Sequence, residues 1–333
     1  MNSMLNPNAH IQENIFGTPD MAATRDGFGQ ALLELGEKDP RVVVLCADLA
    51  ESTRVLAFKE KYPTRYIELG VAEQNLATVA SGLAAYGKVP FITSYAAFSP
   101  GRNNEQIRTT ISLNNVPVKI AGAHAGISVG PDGATHQALE DIGLMRMQPR
   151  MTVLSPCDSE EARKAALAAA AHPGPVYIRL TREKSPVMTT AQTPFEIGKA
   201  SVVWEGDHSP EVAVFATGPL VFEALAAAKA LEHTLPVAVI NVASVKPLDR
   251  ETILHYAKDA GAVVVVEEHQ VAGGMGSAIA ELLAENAPAP MEMVGVRDQF
   301  GQSGTVAQLY DHYKLSAPHI RAAIEKAYAR KGK

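Results

Sequence analysis

The sequence predicts an α/β protein with two consecutive open, mostly parallel sheets covered by helices. Short runs rich in valine and isoleucine alternate with longer stretches of helical period, which is typical of parallel strands joined by helices. The alternation stops in an aperiodic stretch at 183–193 and then restarts. A chain of 333 residues is also too long for one comfortable core. We therefore expect two domains, at 14–187 and 188–333.

Six strands and four helices are predicted in the first domain. Each strand is a short apolar run, as expected for strands that are buried on both faces. The strands are predicted at Arg41–Cys46, Arg65–Leu69, Val89–Ser94, Val116–Ala121, Met151–Leu154 and Val176–Leu180. The helices are predicted at Met21–Lys38, Ala72–Tyr86, Arg102–Asn115 and Ser159–Ala171, the last with Asp158 as its N-cap.

The segment Glu183–Thr193 has no period and is interpreted as a linker. Beyond it, strands and helices alternate again, which predicts a second, smaller α/β domain. Its strands are predicted at Val212–Ala216, Val237–Asn241, Ala262–Glu267 and Met291–Val296, and its helices at Leu220–Glu232, Asp249–Lys258, Met275–Asn286 and Pro318–Arg330. The glycines at 273–276 lack the full dinucleotide-binding fingerprint, so we interpret them as tight-turn glycines.

Composition excludes several classes of protein. Hydrophobic residues make up 47% of the chain and charged residues 20%, which is typical of a soluble globular protein. A net charge of −6 argues against broad nucleic-acid binding, which needs a basic face. Cys46 and Cys157 lie in or beside apolar runs without metal-ligand spacing, which predicts buried, inert thiols in a reducing compartment. The stretch Met1–Phe16 lacks the features of a signal peptide, so we expect a cytoplasmic protein.

Glu73 is the first candidate for chemistry, because parallel sheets bind ligands at the carboxyl ends of their strands. It follows the strand Arg65–Leu69 and lies in the first turn of the next helix. One hypothesis is a carboxylate that merely favours the helix dipole. The other is a buried carboxyl whose pKa is raised by desolvation, so that it can share a proton near neutral pH. These residues alone leave both hypotheses open.

The loop after the strand Val116–Ala121 is the second candidate. It runs from His124 to His136 and contains two histidines, Asp132 and three glycines within 13 residues. Gly-rich polar loops are often ordinary surface loops. Its position at the carboxyl end of a strand favours a binding loop instead.

Several motifs together resemble the transketolase family. The run Glu68-Leu-Gly-Val-Ala-Glu-Gln-Asn, the loop from His124 to His136 and Asp48 in Ala-Asp-Leu resemble its pyrimidine-binding domain. The runs at 243–249 and 266–276 resemble its C-terminal domain. The resemblance covers nearly the whole chain. It implies a thiamine-diphosphate pyrimidine-binding domain followed by a transketolase C-terminal domain.

The resemblance also implies a cofactor site. In this family, the carboxyl that matches Glu73 hydrogen-bonds the pyrimidine nitrogen of thiamine diphosphate and favours the tautomer that deprotonates the thiazolium carbon. Tyr95 and Phe98 fall where the family places aromatic residues against the pyrimidine face, with ordinary core packing as the alternative. Phe98 is preferred over Tyr95 for this role. Asp48 is the further residue implied in cofactor binding.

Substrate contacts are implied in the same way. His124 and His136 match residues that hydrogen-bond substrate oxygens and act with Glu73 in catalysis. Asp132 matches a carboxylate that binds a sugar hydroxyl. The groups that align with the family's clamp for the terminal phosphate of the sugar are Arg25, Ser52 and Arg182.

One family motif is missing from the sequence. Transketolases bind magnesium and the diphosphate through an N-terminal domain that contains Gly-Asp-Gly, followed by an asparagine. No Gly-Asp-Gly occurs here, and the nearest run is Gly206-Asp207-His208. The resemblance therefore implies a separate partner chain that holds the diphosphate and Mg²⁺ or Ca²⁺. Two copies of each chain are expected.

The expected function is that of one subunit of a split transketolase, which moves a two-carbon ketol unit from a ketose phosphate to an aldose phosphate. Two alternatives stay close to it: half of a deoxyxylulose-phosphate-synthase-like enzyme, or half of a ketol transferase for a specialised sugar. A third alternative is a non-catalytic regulatory subunit of the same fold.

Overall fold

The computed structural model describes residues 3–331. Its strands are β1 (Ser3–Leu5), β2 (Met21–Ala22), β3 (Val42–Cys46), β4 (Tyr66–Glu68), β5 (Val89–Tyr95), β6 (Lys119–Ala123), β7 (Thr152–Leu154), β8 (Val176–Arg179), β9 (Ser185–Pro186), β10 (Ser201–Gly206), β11 (Val212–Ala216), β12 (Val237–Asn241), β13 (Ser244–Lys246), β14 (Val263–Gln270) and β15 (Met291–Val296). Its α-helices are α1 (Thr24–Lys38), α2 (Leu56–Lys61), α3 (Glu73–Ala85), α4 (Asn104–Gln106), α5 (Asp141–Arg146), α6 (Ser159–Ala171), α7 (Leu220–Ala230), α8 (Arg250–Ala260), α9 (Met275–Asn286), α10 (Val306–His312) and α11 (Ala317–Ala329).

Two open sheets organise the chain. The first has the strand order β13-β7-β8-β6-β5-β3-β4, and the second has the order β1-β10-β12-β11-β14-β15. In the part of the chain described, the first sheet is parallel except for β13, and the second is parallel except for β1 and β10. The prediction of an α/β fold with two mostly parallel sheets is confirmed.

Strand β3 illustrates why the first sheet has continuous apolar runs. Val42, Val44 and Cys46 pack into a cluster with residues of α1 and α6 on one face. Val43 and Leu45 pack into another cluster with α3 on the opposite face. Because helices cover both faces, polar side chains can collect only where the strands end.

The two halves of the chain exchange edge strands. β13 comes from the second half but pairs antiparallel with β7 of the first sheet, with Ser244 opposite Leu154. In return, β1 from the N-terminal end pairs with β10 of the second sheet. Phe215 and Ile240 of the second sheet also share one apolar cluster with Ile92 of the first. The two sheets are therefore interlocked and packed through a common core.

The segment Glu183–Thr193, interpreted from the sequence as a linker, is bonded to the body of the protein, and we call it the strap. The carboxylate of Asp158 is fully buried and accepts hydrogen bonds from the backbone N–H groups of Met188 and Thr189 at 2.7 and 2.6 Å. It also accepts one from the N–H of Glu161 at 2.8 Å, which confirms Asp158 as the N-cap of α6. The strap is thus no free spacer, and the predicted domain boundary at 187–188 lies within it.

Some predicted helices differ from the helices of the structure in their bounds, and some short helices were not predicted. The predicted helix Arg102–Asn115 forms only the short α4, followed by a π-helical segment at Ile107–Ser112. The predicted helix Met21–Lys38 begins at Thr24, because β2 pairs with β9 of the strap. Helices α2, α5 and α10 have six or seven residues, which is too few to reveal a helical period.

Cys46 and Cys157 are both buried and unpaired among the described residues, as expected. The final positions of the second predicted domain, 332–333, lie outside the described residues. Between residues 3 and 331, no helix is both long and apolar enough to cross a membrane.

Replacing Asp158 with alanine should destabilise the protein strongly, because three buried N–H groups and the Thr189 hydroxyl would lose their acceptor. We expect the free energy of unfolding to fall by about 2–4 kcal/mol in urea titrations followed by circular dichroism. Thr305→Ala, which removes the cap of α10, is the control and should cost about 1 kcal/mol. Equal losses in both variants would show that Asp158 does not anchor the strap.

Candidate active site

The predicted site residues converge at the carboxyl edge of the first sheet. Asp48 follows β3, Glu73 opens α3 after β4, Tyr95 ends β5 and His124 follows β6. β3, β4, β5 and β6 are parallel, so their carboxyl ends face the same side. The fold thus assembles groups that are far apart in the sequence.

Glu73 is buried, with only 1% of its surface exposed. Its Oε1 accepts a hydrogen bond from the Ser94 hydroxyl at 3.2 Å, and its Oε2 accepts one from Arg102 Nη1 at 2.7 Å. Its backbone carbonyl accepts a further bond from Asn103 Nδ2 at 2.9 Å. The structure therefore shows the burial that the second hypothesis requires, together with an ion pair to Arg102.

Arg102 is the site residue that the sequence interpretation missed. Besides contacting Glu73, its guanidinium lies 4.8 Å above the Phe98 ring. In the sequence it resembles an ordinary surface arginine, and 44% of its side chain is indeed exposed. The available signal was its spacing of four residues from Phe98, since the N–H of Arg102 bonds the Phe98 carbonyl at 2.9 Å in a helical turn.

Four rings form an aromatic cluster beside this carboxylate: Tyr95, Phe98, His124 and His136. The Tyr95 and His124 rings stack with centroids 3.9 Å apart and an interplanar angle of 26°. Phe98 stacks on Tyr95 at 6.0 Å, and His136 meets Phe98 edge-on at 5.4 Å. Arg102 links this cluster to the buried acid, because its guanidinium lies 4.8 Å from the Phe98 ring centroid and donates to Glu73 Oε2 at 2.7 Å.

The imidazole of His124 is neutral at physiological pH. Its burial, together with the positive charges of Arg25 and Arg182, lowers its pKa to about 3. Arg25 Nη1 lies 3.5 Å from His124 Nε2. His124 Nδ1 is buried and has no hydrogen-bond partner within residues 3–331. A neutral imidazole can both donate and accept, so this ring retains capacity for a ligand oxygen.

Two arginines border the same histidine. Arg25 Nη1 donates to the backbone carbonyl of Ser52 at 2.7 Å, and its buried Nε has no partner in the described chain. Desolvation by burial is the main cause that lowers the pKa of Arg25. Arg182 donates to the Val129 carbonyl at 3.2 Å, and its Nη2 lies 3.9 Å from Asp132 Oδ1. The predicted anion-binding groups are therefore brought together beside the loop.

Asp48 lies at the same edge but is more isolated. Its backbone has a positive φ of 59°, and its N–H donates to Glu68 Oε1 at 2.7 Å. Its carboxylate is exposed and forms no hydrogen bond or ion pair with any other described residue. The structure thus brings Asp48 to the edge of the site without tying it to Glu73.

Comparison with known proteins identifies the family. Residues 20–187 match the transketolase pyrimidine binding domain, and residues 198–320 match the transketolase C-terminal domain. The chain belongs to the transketolase family. Its first sheet, with the carboxyl edge described above, lies almost wholly within the pyrimidine-binding match.

Several relatives of this transketolase-family chain are separate subunits. It is 42% identical over 308 residues to the 6-deoxy-6-sulfo-D-fructose transketolase subunit SqwH of Clostridium sp. (strain MSTE9), covering 92% of this chain and 95% of that one. It is 33% identical over 309 residues to an apulose-4-phosphate transketolase subunit of Phocaeicola vulgatus, covering 92% and 98%. A solved split gene transketolase, titled an inactive beta4 tetramer, superposes with a TM-score of 0.86 at 44% identity and covers 93% of this chain and 99% of its own. The chain thus matches, along nearly its whole length, family members that are separate subunits.

The neutral state of His124 can be measured directly. We expect no titration of its imidazole between pH 8 and pH 5, followed by the histidine Cε1–Hε1 signals in NMR spectra and assigned with the variant His124→Gln. A midpoint near 6.5 would contradict the burial argument.

The lowered pKa of His124 also predicts that the protein loses stability in acid. The unfolded chain takes up a proton near pH 6.5, whereas folded His124 resists it down to about pH 3. The free energy of unfolding should therefore decrease as the pH falls from about 6.5 towards 3. His124→Gln should lack this part of the decrease, and an identical pH profile for both proteins would argue against it.

Proposed function

We propose that this chain is the cofactor-activating subunit of a split thiamine-diphosphate-dependent transketolase. The complete enzyme transfers a two-carbon ketol unit from a ketose phosphate to an aldose phosphate. The observation that carries the proposal is the buried carboxyl of Glu73 beside the aromatic cluster, at the edge where the sheet presents its binding groups. The names of relatives that are transketolase subunits support it.

The residues present fit the aminopyrimidine part of thiamine diphosphate. The fit rests on a buried acid next to a flat aromatic surface, which suits a ring that needs both a proton partner and a stacking face. Glu73 would share a proton with the ring nitrogen, Phe98 and Tyr95 would pack against the ring, and Asp48 would contact the cofactor from the adjoining strand end. When bound, the cofactor supplies a nucleophilic carbon and a sink for the electrons of the two-carbon unit.

The histidines of the loop would bind the sugar. His124, neutral and with a free Nδ1 among the described residues, can hydrogen-bond a substrate oxygen as charge moves during the reaction. His136 meets the Tyr95 and Phe98 rings edge-on and would bind a second oxygen. Asp132, exposed and ionisable, would accept a hydrogen bond from a sugar hydroxyl.

The far end of the sugar would be held by Arg25, Ser52 and Arg182. Planar guanidinium groups bind tetrahedral oxyanions through paired hydrogen bonds, and Arg25 has a buried N–H still available within residues 3–331. Phosphate is the proposed anion.

A second candidate differs only in the sugar. Sulfonate offers a guanidinium fork the same oxygen geometry as phosphate, and a relative at 42% identity is named for a 6-deoxy-6-sulfo sugar. A ketol transferase for such a specialised substrate would use the same Glu73 and the same loop. Comparing turnover of ketose phosphates with turnover of their sulfonate analogues separates the two candidates.

The remainder of the cofactor site is proposed to lie on a separate chain. This sequence lacks Gly-Asp-Gly, the family's motif for the diphosphate and its metal ion. We propose a partner that carries this motif and binds Mg²⁺ or Ca²⁺, with two copies of each chain in the active enzyme. The related split transketolase titled an inactive beta4 tetramer supports a requirement for such a partner.

Glu73→Gln tests the central role. Glutamine preserves the size of the side chain but cannot share an acidic proton, so transketolase activity of the pair reconstituted with the partner should fall by about 10²- to 10⁴-fold. Glu105→Gln, on the exposed surface of α4, is the control and should retain activity. Circular dichroism should show that both variants fold. Near-normal turnover by the folded Glu73→Gln pair would remove the basis of the proposal.

Arg25→Ala and Arg182→Ala test the anion clamp. Each should raise KM for a phosphorylated donor by about 10- to 100-fold, because each removes charge-assisted hydrogen bonds. KM for a donor that lacks the terminal phosphate should change little. Arg41→Ala, at the opposite end of β3, is the control. Equal losses with both donors would mean that these arginines serve the fold rather than the phosphate.

A further inference from the structure

Two consecutive carboxylates are buried towards the end of β14. Glu267 and Glu268 are each 1% exposed, and as neighbours in a strand they point to opposite faces of the second sheet. Glu267 accepts hydrogen bonds from the backbone N–H groups of Met275 and Gly276 at 2.7 and 2.9 Å, at the N-terminus of α9. Glu267 thus has a local structural role within the second sheet and its helices.

Glu268 reaches into the other half of the protein. Its Oε1 accepts the backbone N–H of Ser128, and its Oε2 accepts the Tyr310 hydroxyl at 3.1 Å. Ser128 belongs to the loop from His124 to His136, here called the histidine loop. A carboxylate of the second sheet therefore bonds directly to the loop that carries three of the proposed substrate-binding side chains.

The backbone of the histidine loop is shaped to receive this carboxylate. Gly126 has a φ of +87°, and a Cβ at this position would lie only 2.5 Å from Glu268 Oε1. Glycine is therefore required both by the backbone conformation and by the close approach of the acid. The Ile127–Asp132 turn that follows begins directly at this contact.

Two more contacts hold the same region. Arg179 Nη2 donates to the backbone carbonyl of Glu268 at 2.8 Å, which ties the end of β14 to the first sheet. Buried Gln137 donates to the carbonyls of Ile127 and Gln302, both at 3.0 Å, and so joins the loop to the second half of the chain again. Burying Glu268 raises its pKa, yet its oxygens are met by two donors. Burying the Glu268 carboxyl costs free energy, and the two donors offset that cost where the second sheet meets the histidine loop.

We propose that Glu268 is a positioning residue that fixes the histidine loop from the second sheet, and with it His124, Asp132 and His136. The effect on substrate binding rests on the proposed function, whereas the anchoring of the loop does not. The second half of the chain, which contributes no side chain to the proposed cofactor contacts, would thereby set the geometry of the substrate pocket.

Hydrogen exchange in the isolated chain, followed by mass spectrometry, tests the anchoring. Glu268→Leu should speed exchange of the Ser128 amide and its loop neighbours by about 10-fold or more, because the N–H loses its acceptor. Glu268→Gln should stay close to wild type, since the amide oxygen can still accept from Ser128. Glu268→Asp keeps the charge but is shorter, and it should behave like the leucine variant.

Glu267→Leu is the matched control. It removes an equally buried carboxylate from the adjacent position and should speed exchange at the start of α9 without affecting the histidine loop. Unchanged loop exchange in both Glu268→Leu and Glu268→Asp would overturn the proposal. If Glu268→Leu fails to fold, the comparison of Glu268→Asp with Glu268→Gln decides. If the fold only needs a buried charge, loop exchange should stay slow in Glu268→Asp and become faster in Glu268→Gln. If Glu268 anchors the loop, the opposite result is expected.

The reconstituted enzyme tests the consequence for substrate. Glu268→Asp should lower kcat/KM by about 100-fold through misplacement of the loop, while Glu268→Gln should restore most of it. The affinity for thiamine diphosphate should change much less than kcat/KM, because none of the proposed cofactor contacts is a residue of the histidine loop. If Glu268→Asp loosens the loop but leaves kcat/KM intact, Glu268 anchors the loop without positioning the substrate. If the wild-type pair has no transketolase activity, the proposed function fails while the exchange results still decide the anchoring.

Discussion

The burial of one carboxyl group constrains the whole site. The carboxylate of Glu73 is buried with a donor to each oxygen, the Ser94 hydroxyl and Arg102, while Asn103 holds the backbone carbonyl of the same residue. Those donors come from the end of β5 and from the turn that follows it, so the acid, the aromatic cluster and the sheet edge form a single unit. A parallel sheet with helices on both faces is the scaffold that brings such strand ends together.

The second half of the chain holds the carboxyl edge of the first sheet in place through strand pairing and hydrogen bonds. β13 completes the first sheet, the strap is bonded to Asp158, and Glu268 reaches the histidine loop. Each contact joins residues that are distant in the sequence, so none depends on local propensity. The substrate side of the site is thereby built from both halves, although its side chains come from the first.

Sequence interpretation succeeded where the signal was local. Buried parallel strands are continuous apolar runs, and the N-cap at Asp158 and the strand-end position of Glu73 could be inferred from order along the chain. It failed where the outcome depended on tertiary contacts. β1, β10 and β13 form antiparallel pairs at the edges of the two sheets, and distant partners stabilise them. The role of Arg102 depends on a turn that brings it over Phe98, and that of Glu268 on a loop more than a hundred residues earlier.

The exchanged edge strands limit how a gene for this protein can be divided. A cut between the two sheets would leave β7 without β13 and β10 without β1, exposing unpaired strand edges on both products, which invites aggregation. A cut at 187–188 would also place Met188 and Thr189 of the strap on a different product from Asp158. A single chain that carries both the pyrimidine-binding and the C-terminal module keeps each of these edge strands covalently tied to the sheet that it completes.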